Sequence, residues 1–316
     1  MPYASFIIPV RNVEDYLGAT LASLQAQTDG DFEVIVVDDG STDATAAIAA
    51  AIAAVDRRFR ILAGRAAGPG VARNLAIDAA AGQLLVFVDG DDLVHPRYLE
   101  LIRTARSGLG AADVLVVSYV SGTEIVWSHA PTGRLRRVNA AELAVRGKAI
   151  WRMVVTREFF AACGARFLPG MNYEDTVPAL QLILAGERFV EMTEPLYFYR
   201  KRPNSLIRRP GTERIEDMVK ALAAMAEAGR RAPSTRRRGL VQLAQIRLLT
   251  SLYRLLPPVQ RQAYLTRALD AAELDAGTAI RRAVEAVVRA RGVWLRPTLS
   301  LIADLVRASN DRRRAA

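Results

Sequence analysis

The stretch LLVFVDGDDLVHP, residues 84–96, runs five apolar residues straight into three aspartates within four positions. A short apolar run bounded by turn residues reads as a buried strand. Carboxylates crowded at its end repel one another, and desolvating them costs several kcal/mol unless something compensates. A solvated turn and a bound cation are the two answers, and the surrounding pattern must decide between them.

Working outward, ASFIIPV is a short apolar run ending near Pro9, and VEDYLGATLASLQAQT carries Val13, Leu17, Leu21 and Leu24 at helical spacing. FEVIVVDDGSTD is a second strand, Phe32–Val37, that breaks at Asp38-Asp39-Gly40, with Ser41, Thr42 and Asp43 offering N-cap chemistry to an alanine-rich helix through Val55. FRILAG is a third strand, and GPGVARNLAIDAAAG is a glycine turn opening a helix closed by Gly82. Strand and helix alternate over short links, which argues for a doubly wound parallel sheet. In such sheets ligands bind beyond the carboxyl ends of the strands. Pro9–Arg11, Asp38–Asp39 and Asp89–Asp92 all lie at such ends, so they are expected to converge on one cleft.

Beyond residue 100 the pattern loosens. ADVLVVSYV is a strand, a polar stretch to Asn139 reads as a loop or hairpin, and helical spacing resumes near Ala140. NYEDTVPALQLILAG reads as a loop entering a helix that ends at Gly186. LYFYRKRPNSLIRR is aromatic and then basic, with Pro203 and Pro210 blocking regular structure. From Thr212 onward the pattern is helical, and no internal repeat is evident.

The 316 residues are 51% hydrophobic, enough for a sizeable core. No apolar run reaches the roughly 18 residues of a spanning helix, and the N-terminus reads as a first strand rather than a signal peptide. The single cysteine, Cys163, excludes an intrachain disulfide framework and reads as a small buried residue. A cytoplasmic protein follows. The net charge of +10 is uneven: residues 1–199 hold 18 Lys+Arg against 23 Asp+Glu, and residues 200–316 hold 25 against 10. That asymmetry suits a polyanionic partner for the C-terminal part, and equally a set of solvated helix faces.

A dinucleotide-binding fingerprint after the first strand, a P-loop, an H-E-x-x-H pair and a nucleophile elbow are all absent. A response-regulator receiver would end its first strand, not its second, on the acidic pair. In order, IIPVRN, VIVVDDGSTD, GPGVARN, VFVDGDD, NYEDT and LYFYRKRPNSL resemble a GT-A glycosyltransferase of family 2 over residues 5–206. The resemblance implies an α/β GT-A fold, Rossmann-like and mostly parallel, with a C-terminal helical extension. It divides the chain into a nucleotide-sugar half (1–100), an acceptor half (101–211) and a basic helical region (212–316).

The roles that follow are what the resemblance implies. Asp89-Gly90-Asp91 is the D-x-D motif, with Asp91 the direct ligand of Mn²⁺ or Mg²⁺ and Asp89 or Asp92 contacting ribose and metal waters. A divalent cation answers the charge left on a departing nucleoside diphosphate. Asp39 accepts a hydrogen bond from the base, and Asp38 caps the following turn. Pro9 flanks the nucleotide, Arg73 approaches the base or diphosphate, and Asn74 ties down its turn. Relatives carry a base-stacking aromatic residue where this chain has Arg11; guanidinium can stack similarly, but the departure opens thymine or a purine beside the uracil that the family pattern implies. Asp175 is the general base of an inverting displacement, with Glu174 a positioning residue or acceptor contact. Arg200, Lys201 and Arg202 form a lid near the diphosphate or acceptor. Trp151 and Tyr173 are candidates for the acceptor site, Trp151 also for the core. His95 reads as a helix lead-in and His129 has no partner in sequence.

The expected function is transfer of one sugar, hexosyl or N-acetylhexosaminyl, from a UDP-sugar to a hydroxyl acceptor such as a lipid-linked oligosaccharide in cell-surface polysaccharide or glycolipid assembly. Processive synthases of the family carry Q-x-x-R-W and spanning helices, which are not found here. The basic tail would hold the enzyme at the anionic inner face of a membrane, at about 1 kcal/mol per basic residue near the surface. The alternative is a non-catalytic nucleotide-sugar-binding assembly subunit whose basic tail docks a partner. Nucleic acid is disfavoured, because the basic helices lack interleaved aromatics. Nothing in the sequence indicates the sugar or the oligomeric state.

Overall fold

The computed structural model describes residues 1–108, 112–125, 127, 130–146, 149–202, 212–257, 260–274 and 277–279. The described chain forms two compact units. The first takes in residues 1–138, 149–182 and 186–202; the second takes in 139–146, 183–185 and the described residues from 212 onward.

The first unit is built on a nine-stranded sheet. Its parallel half is β1 (Ala4–Val10), β2 (Phe32–Asp38), β3 (Phe59–Ala63) and β4 (Leu84–Phe87), in the order β3-β2-β1-β4. Helices α1 (Glu14–Gln25), α2 (Thr45–Val55) and α3 (Pro69–Ala79) make the crossovers. β1 and β4 are buried along their whole length. They read as continuous apolar runs because strands covered on both faces have no solvent side to mark with polar residues. Pro9 is tolerated in central β1 because β4 pairs only with Ala4–Ile7, so no ladder on that side needs the missing N–H.

The second half of the sheet is mixed. It comprises β5 (Leu93–Val94), β6 (Val114–Gly122), β7 (Leu135–Val138), β8 (Met153–Thr156) and β9 (Phe189–Arg200), with α4 (Tyr98–Gly108) following β5. The order continues β4-β8-β6-β9-β5, and β7 also pairs with β9. β8 runs antiparallel to both β4 and β6, whereas β6 and β9 are parallel. The polar stretch expected to form a loop or hairpin thus contributes β7, antiparallel to β9.

Of the three expected caps Asp43 serves α2: its Oδ1 accepts the Thr45 N–H at 3.0 Å, although the N-cap position itself is Ala44. Capping is also reciprocal between α1 and α2. Asp43 Oδ2 accepts the Glu14 N–H at 3.2 Å and Thr45 Oγ1 accepts the Val13 N–H at 2.8 Å, while Glu14 Oε2 accepts the Ala44 N–H at 2.7 Å. Each helix satisfies the other's orphan donors, which pins together the loops that leave β1 and β2.

A buried polar cluster locks the opposite strand ends. Glu33 accepts from Ser5 Oγ and the Ala81 N–H, both at 2.7 Å, and from Arg60. Burial would raise this carboxyl, but those donors hold it below the ordinary range.

In the second unit, α5 (Ala140–Arg146), α8 (Thr212–Arg230), α9 (Thr235–Leu255) and α10 (Arg261–Ala271) pack together. Two further helices, α6 (Arg157–Ala162) and α7 (Thr176–Ala185), precede β9 in the chain. α9 buries Leu240, Val241, Leu243, Ala244, Ile246 and Leu249 on most of its circumference between Gly239 and Tyr253, as a helix at the centre of a bundle does. Gln245 is buried there and satisfies its amide on Ala272 O at 2.9 Å. No helix among the described residues is long and apolar enough to cross a membrane.

Gly82 is the tightest point of the Glu33 cluster. A Cβ there would stand 2.5 Å from Ser5 N and 2.6 Å from the Ala4 carbonyl carbon, both backbone atoms that cannot yield. Gly82→Ala is expected to destabilise the protein by about 1–3 kcal/mol, read as a lower urea midpoint at unchanged m-value.

Candidate active site

The turn after β4 is pressed against the end of β1. A Cβ on Gly90 would lie 2.7 Å from Val10 Cγ1, so only glycine lets the turn come so close, and Thr20 Oγ1 donates to Gly90 O at 3.0 Å. The three aspartates then take different fates. Asp92 is 0% exposed, and its two oxygens accept from the Tyr197 hydroxyl at 2.6 Å and the Arg200 N–H at 2.7 Å. Burial, with Asp89 and Asp91 nearby, raises its carboxyl well above the ordinary range. Where donor contact had been expected, the structure shows Asp92 as an internal strut tying the turn to β9. Tyr197 completes the strut, since its oxygen also accepts the Asp89 N–H at 3.1 Å.

Asp89 and Asp91 remain partly open, with side chains 27% and 14% exposed. Burial raises the Asp91 carboxyl, and the guanidinium of Arg202, ion-paired with it, works the other way. Among the described residues no three His, Cys, Asp or Glu side chains gather as a metal cage. Two hard carboxylates do fit a divalent cation whose other ligands come from diphosphate and water. The Arg202 guanidinium against Asp91 shows that this carboxylate demands a positive partner.

Arg73 is the centre of the site. It lies on α3, 6% exposed, with one terminal nitrogen donating to Asp89 Oδ1 at 2.7 Å and the other to Glu174 Oε1. Burial would lower its pKa, but Asp89, Glu174 and Asp175 more than offset that and hold it charged. Its guanidinium also lies 5.3 Å from the Phe167 ring centroid. Arg73 thus spans the D-x-D turn and the N-Y-E-D segment from within.

The sequence around Arg73 explains how it gets there. Gly68 enters α3 at φ +94°, a left-handed conformation that glycine adopts without strain, and Pro69 starts the helix. Asp39, 2% exposed, accepts the Ala67 N–H at 3.1 Å and the Gly68 N–H at 2.7 Å. It thus holds the loop before α3, where base recognition had been expected. Asp38 accepts the Ser41 N–H at 3.1 Å, as a turn cap should. Asn74 pairs through both amide atoms with the Phe167 backbone, at 3.0 and 3.1 Å, and so ties its turn down. A Cβ on Gly70 would lie 2.5 Å from Leu168 O and 3.1 Å from Glu174 Cγ, so the helix can sit against Glu174 only with glycine there.

Glu174 is buried and ion-paired with Arg73. Its neighbour Asp175 occupies the N-cap position of α7 yet makes no cap hydrogen bond. Instead Asp175 Oδ2 accepts the Ile150 N–H at 3.2 Å. Burial, then Glu174, push the Asp175 carboxyl up to about 7, with Arg73 pulling it down. Tyr173, half-buried just before the pair, has φ +66°, a strained setting of the kind found at functional sites.

The remaining expected residues are dispersed in role. Pro9 is buried, and Arg11 is exposed just beyond β1. Arg200 donates from Nε to Asp91 O at 2.9 Å and lies over Tyr16, whereas Lys201 is exposed. Pro203–Leu206 and His129 lie outside the described residues. His95 is a helix lead-in, its Nδ1 accepting the Arg97 N–H at 3.0 Å. Cys163 is half-buried, with its thiol pushed up to about 11 by burial.

Replacing Arg73 by Met leaves buried carboxylates facing one another. The variant is expected to lose about 3–5 kcal/mol of stability by urea denaturation. Protonating Asp175 removes one like charge, and a group whose folded pKa is raised loses stability as pH rises, so the deficit should be smaller below about pH 6 than above about pH 8.

Comparison with known proteins accords with this geometry. Residues 5–167 match Glycosyl transferase family 2. The chain is 30% identical over 222 residues to the uncharacterized glycosyltransferase EpsJ of Bacillus subtilis, covering 66% of this chain and 64% of EpsJ. It is 29% identical over 236 residues to the succinoglycan biosynthesis protein ExoO of Rhizobium meliloti, covering 70% and 67%. Among solved structures, S. aureus TarS 1–349 with UDP-GlcNAc aligns with TM-score 0.63 at 18% identity over 92% of each chain. The mannosyltransferase PcManGT of Pyrobaculum calidifontis with GDP-Man and Mn²⁺ aligns with TM-score 0.58 at 18% identity, over 98% of this chain and 86% of that one. These likenesses show the GT-A fold, and the match over residues 5–167 shows that the chain belongs to glycosyl transferase family 2.

Proposed function

We propose that this chain is an inverting, metal-dependent glycosyltransferase that moves one sugar from a nucleotide-diphosphate donor to a hydroxyl acceptor, in assembly of a cell-surface polysaccharide or glycolipid. One observation carries the reading. A single buried guanidinium, Arg73, joins Asp89 of the D-x-D turn to Glu174, beside a carboxylate raised to about 7. A general base poised near neutrality, held next to a cation-demanding turn, is what direct displacement at an anomeric carbon requires.

Asp175 takes the acceptor hydroxyl's proton as that oxygen bonds to the anomeric carbon, while the bond from that carbon to the diphosphate oxygen breaks. The Ile150 N–H fixes which carboxylate oxygen is engaged, leaving the other to the proton. Asp89 and Asp91 would hold a divalent cation, which supplies charge stabilisation to the leaving diphosphate. Arg200 and Arg202 bring two further positive charges to the same turn.

A UDP-sugar is the first donor to test, since TarS binds UDP-GlcNAc. PcManGT binds GDP-Man, and exposed Arg11 can stack on either base. In calorimetric titration, UDP is expected to bind only with Mn²⁺ or Mg²⁺. Binding of GDP or dTDP in its place would change the base alone, and no nucleotide binding would remove the donor site.

Asp175→Asn separates this reading from a nucleotide-sugar-binding assembly subunit. An enzyme loses turnover by at least about a hundredfold while donor affinity stays within about twofold. In the wild type the rate should climb with pH through about 7, because the base works only when deprotonated.

The basic helical region suits an anionic membrane face. Arg236 and Arg238 are exposed in the first turn of α9, where the helix dipole disfavours cations, so an outside anion would relieve them. The protein is expected to bind anionic vesicles in low salt and release them in high salt. Binding indifferent to salt would leave those arginines unexplained.

A further inference from the structure

Beside the proposed base lies a group of rings to which the reaction gives no role. Trp151 follows directly on Ile150, whose N–H holds Asp175 Oδ2 at 3.2 Å. Its indole lies nearly parallel to the rings of Tyr197 and Tyr199, with centroids 4.5 and 5.7 Å away and planes 19° and 15° apart. Tyr119 meets the indole edge-on at 4.9 Å. Tyr197 is fully buried and its hydroxyl braces Asp92, so its ring is a foundation. Trp151 and Tyr199 pack against the core with one side and stay half-buried, and Tyr119 is 44% exposed.

Core packing accounts for Tyr197 and for the inner side of Trp151 and Tyr199, and the Arg152 guanidinium lies 5.3 Å from the Tyr119 ring centroid. Packing does not account for the aromatic surface still left open, since closing over it would ordinarily stabilise the fold. The register of the sheet sets the arrangement. Tyr119 on β6 is the partner of Tyr197 on β9, and Tyr199 lies two residues along on the same face. The indole is thereby a rigid, partly wet platform, braced from below by the metal-motif strut and tied by one peptide to the proposed base.

We infer that Trp151, Tyr119 and Tyr199 form a binding platform for a pyranose ring of the acceptor. This deepens the glycosyltransferase reading and rests on it. A pyranose is amphipathic: its C–H face is apolar and stacks on an aromatic ring, while its rim of hydroxyls needs water or polar partners. An aromatic surface with indole N–H and phenol O–H at its edge meets both needs. Because the neighbouring peptide holds Asp175 through the Ile150 N–H, a ring seated on the indole would turn its hydroxyl rim toward the base. Stacking reads the shape of the ring face, so the platform selects sugars with an unbroken C–H face and admits the rest of the acceptor without restriction.

The test is saturation-transfer NMR on the full chain with UDP and Mn²⁺, using methyl β-glucopyranoside, methyl β-galactopyranoside and methyl N-acetyl-β-glucosaminide as probes. Wild type is expected to transfer saturation to the ring C–H protons of at least one glycoside. Trp151→Leu should reduce this by about fivefold or more and Tyr119→Ser by about twofold, with Trp151→Phe keeping most of it. UDP affinity should stay unchanged in all three variants, which also shows that they are folded. Equal transfer in Trp151→Leu and wild type overturns the platform, as does no transfer to any glycoside from wild type that binds UDP. Transfer that vanishes when UDP-GlcNAc replaces UDP assigns the rings to the donor's sugar and overturns the acceptor assignment. Failure of wild type to bind UDP, GDP and dTDP alike would instead sink the glycosyltransferase reading itself.

Discussion

A buried guanidinium with a carboxylate on each side is the contact on which the first unit's site depends. Taking a charge out of water costs several kcal/mol, and here Arg73 recovers it only because Asp89 and Glu174 arrive from segments far apart in sequence. Each neighbouring feature serves that meeting. Asp39 holds the loop that aims α3, Gly68 makes its left-handed entry, and Gly70 lets the helix lie against Glu174. Asn74 clamps the Phe167 backbone, so the aromatic ring under the guanidinium stays in place. The bridge adds little net stability for its size. What it does is geometric: the D-x-D turn and the N-Y-E-D segment have one fixed separation.

The same balance resolves the crowding of three aspartates after a buried strand. The cluster is not one kind of site but three. Asp92 is withdrawn into the protein and satisfied by Tyr197 and the Arg200 backbone. Asp89 shares Arg73 with Glu174, and Asp91 is left to draw whatever cation is nearest, here Arg202. Removing one carboxylate to the interior and pairing another lowers the mutual repulsion, so the third can stay open to a cation and a substrate.

The mixed half of the sheet gives the acceptor side its parts. β8 is only four residues long, and the 3₁₀ turn Ile150–Arg152 that precedes it supplies both the N–H on Asp175 and the indole over β9. Inserting an antiparallel strand next to β4 carries that turn to the edge of the D-x-D motif.

Much of this was written locally. The apolar runs of β1, β2 and β4, the glycine-opened α3 and the ordered motifs from IIPVRN to NYEDT identify the fold and bring the acidic segments to one end of the sheet. Periodicity and turn chemistry act between neighbours, so a sequence carries them openly. β8 was not legible, because four apolar residues have no period to read. Nor were the separate fates of Asp39, Arg73, Asp92 and Glu174, since an aspartate that binds a ligand and one that braces a loop are the same letter. Tyr197 and the Ile150 N–H carried no signal at all. Tertiary structure alone decided these, because whether a polar side chain faces inward or outward depends on which partners desolvate it, and those partners come from residues a hundred positions away.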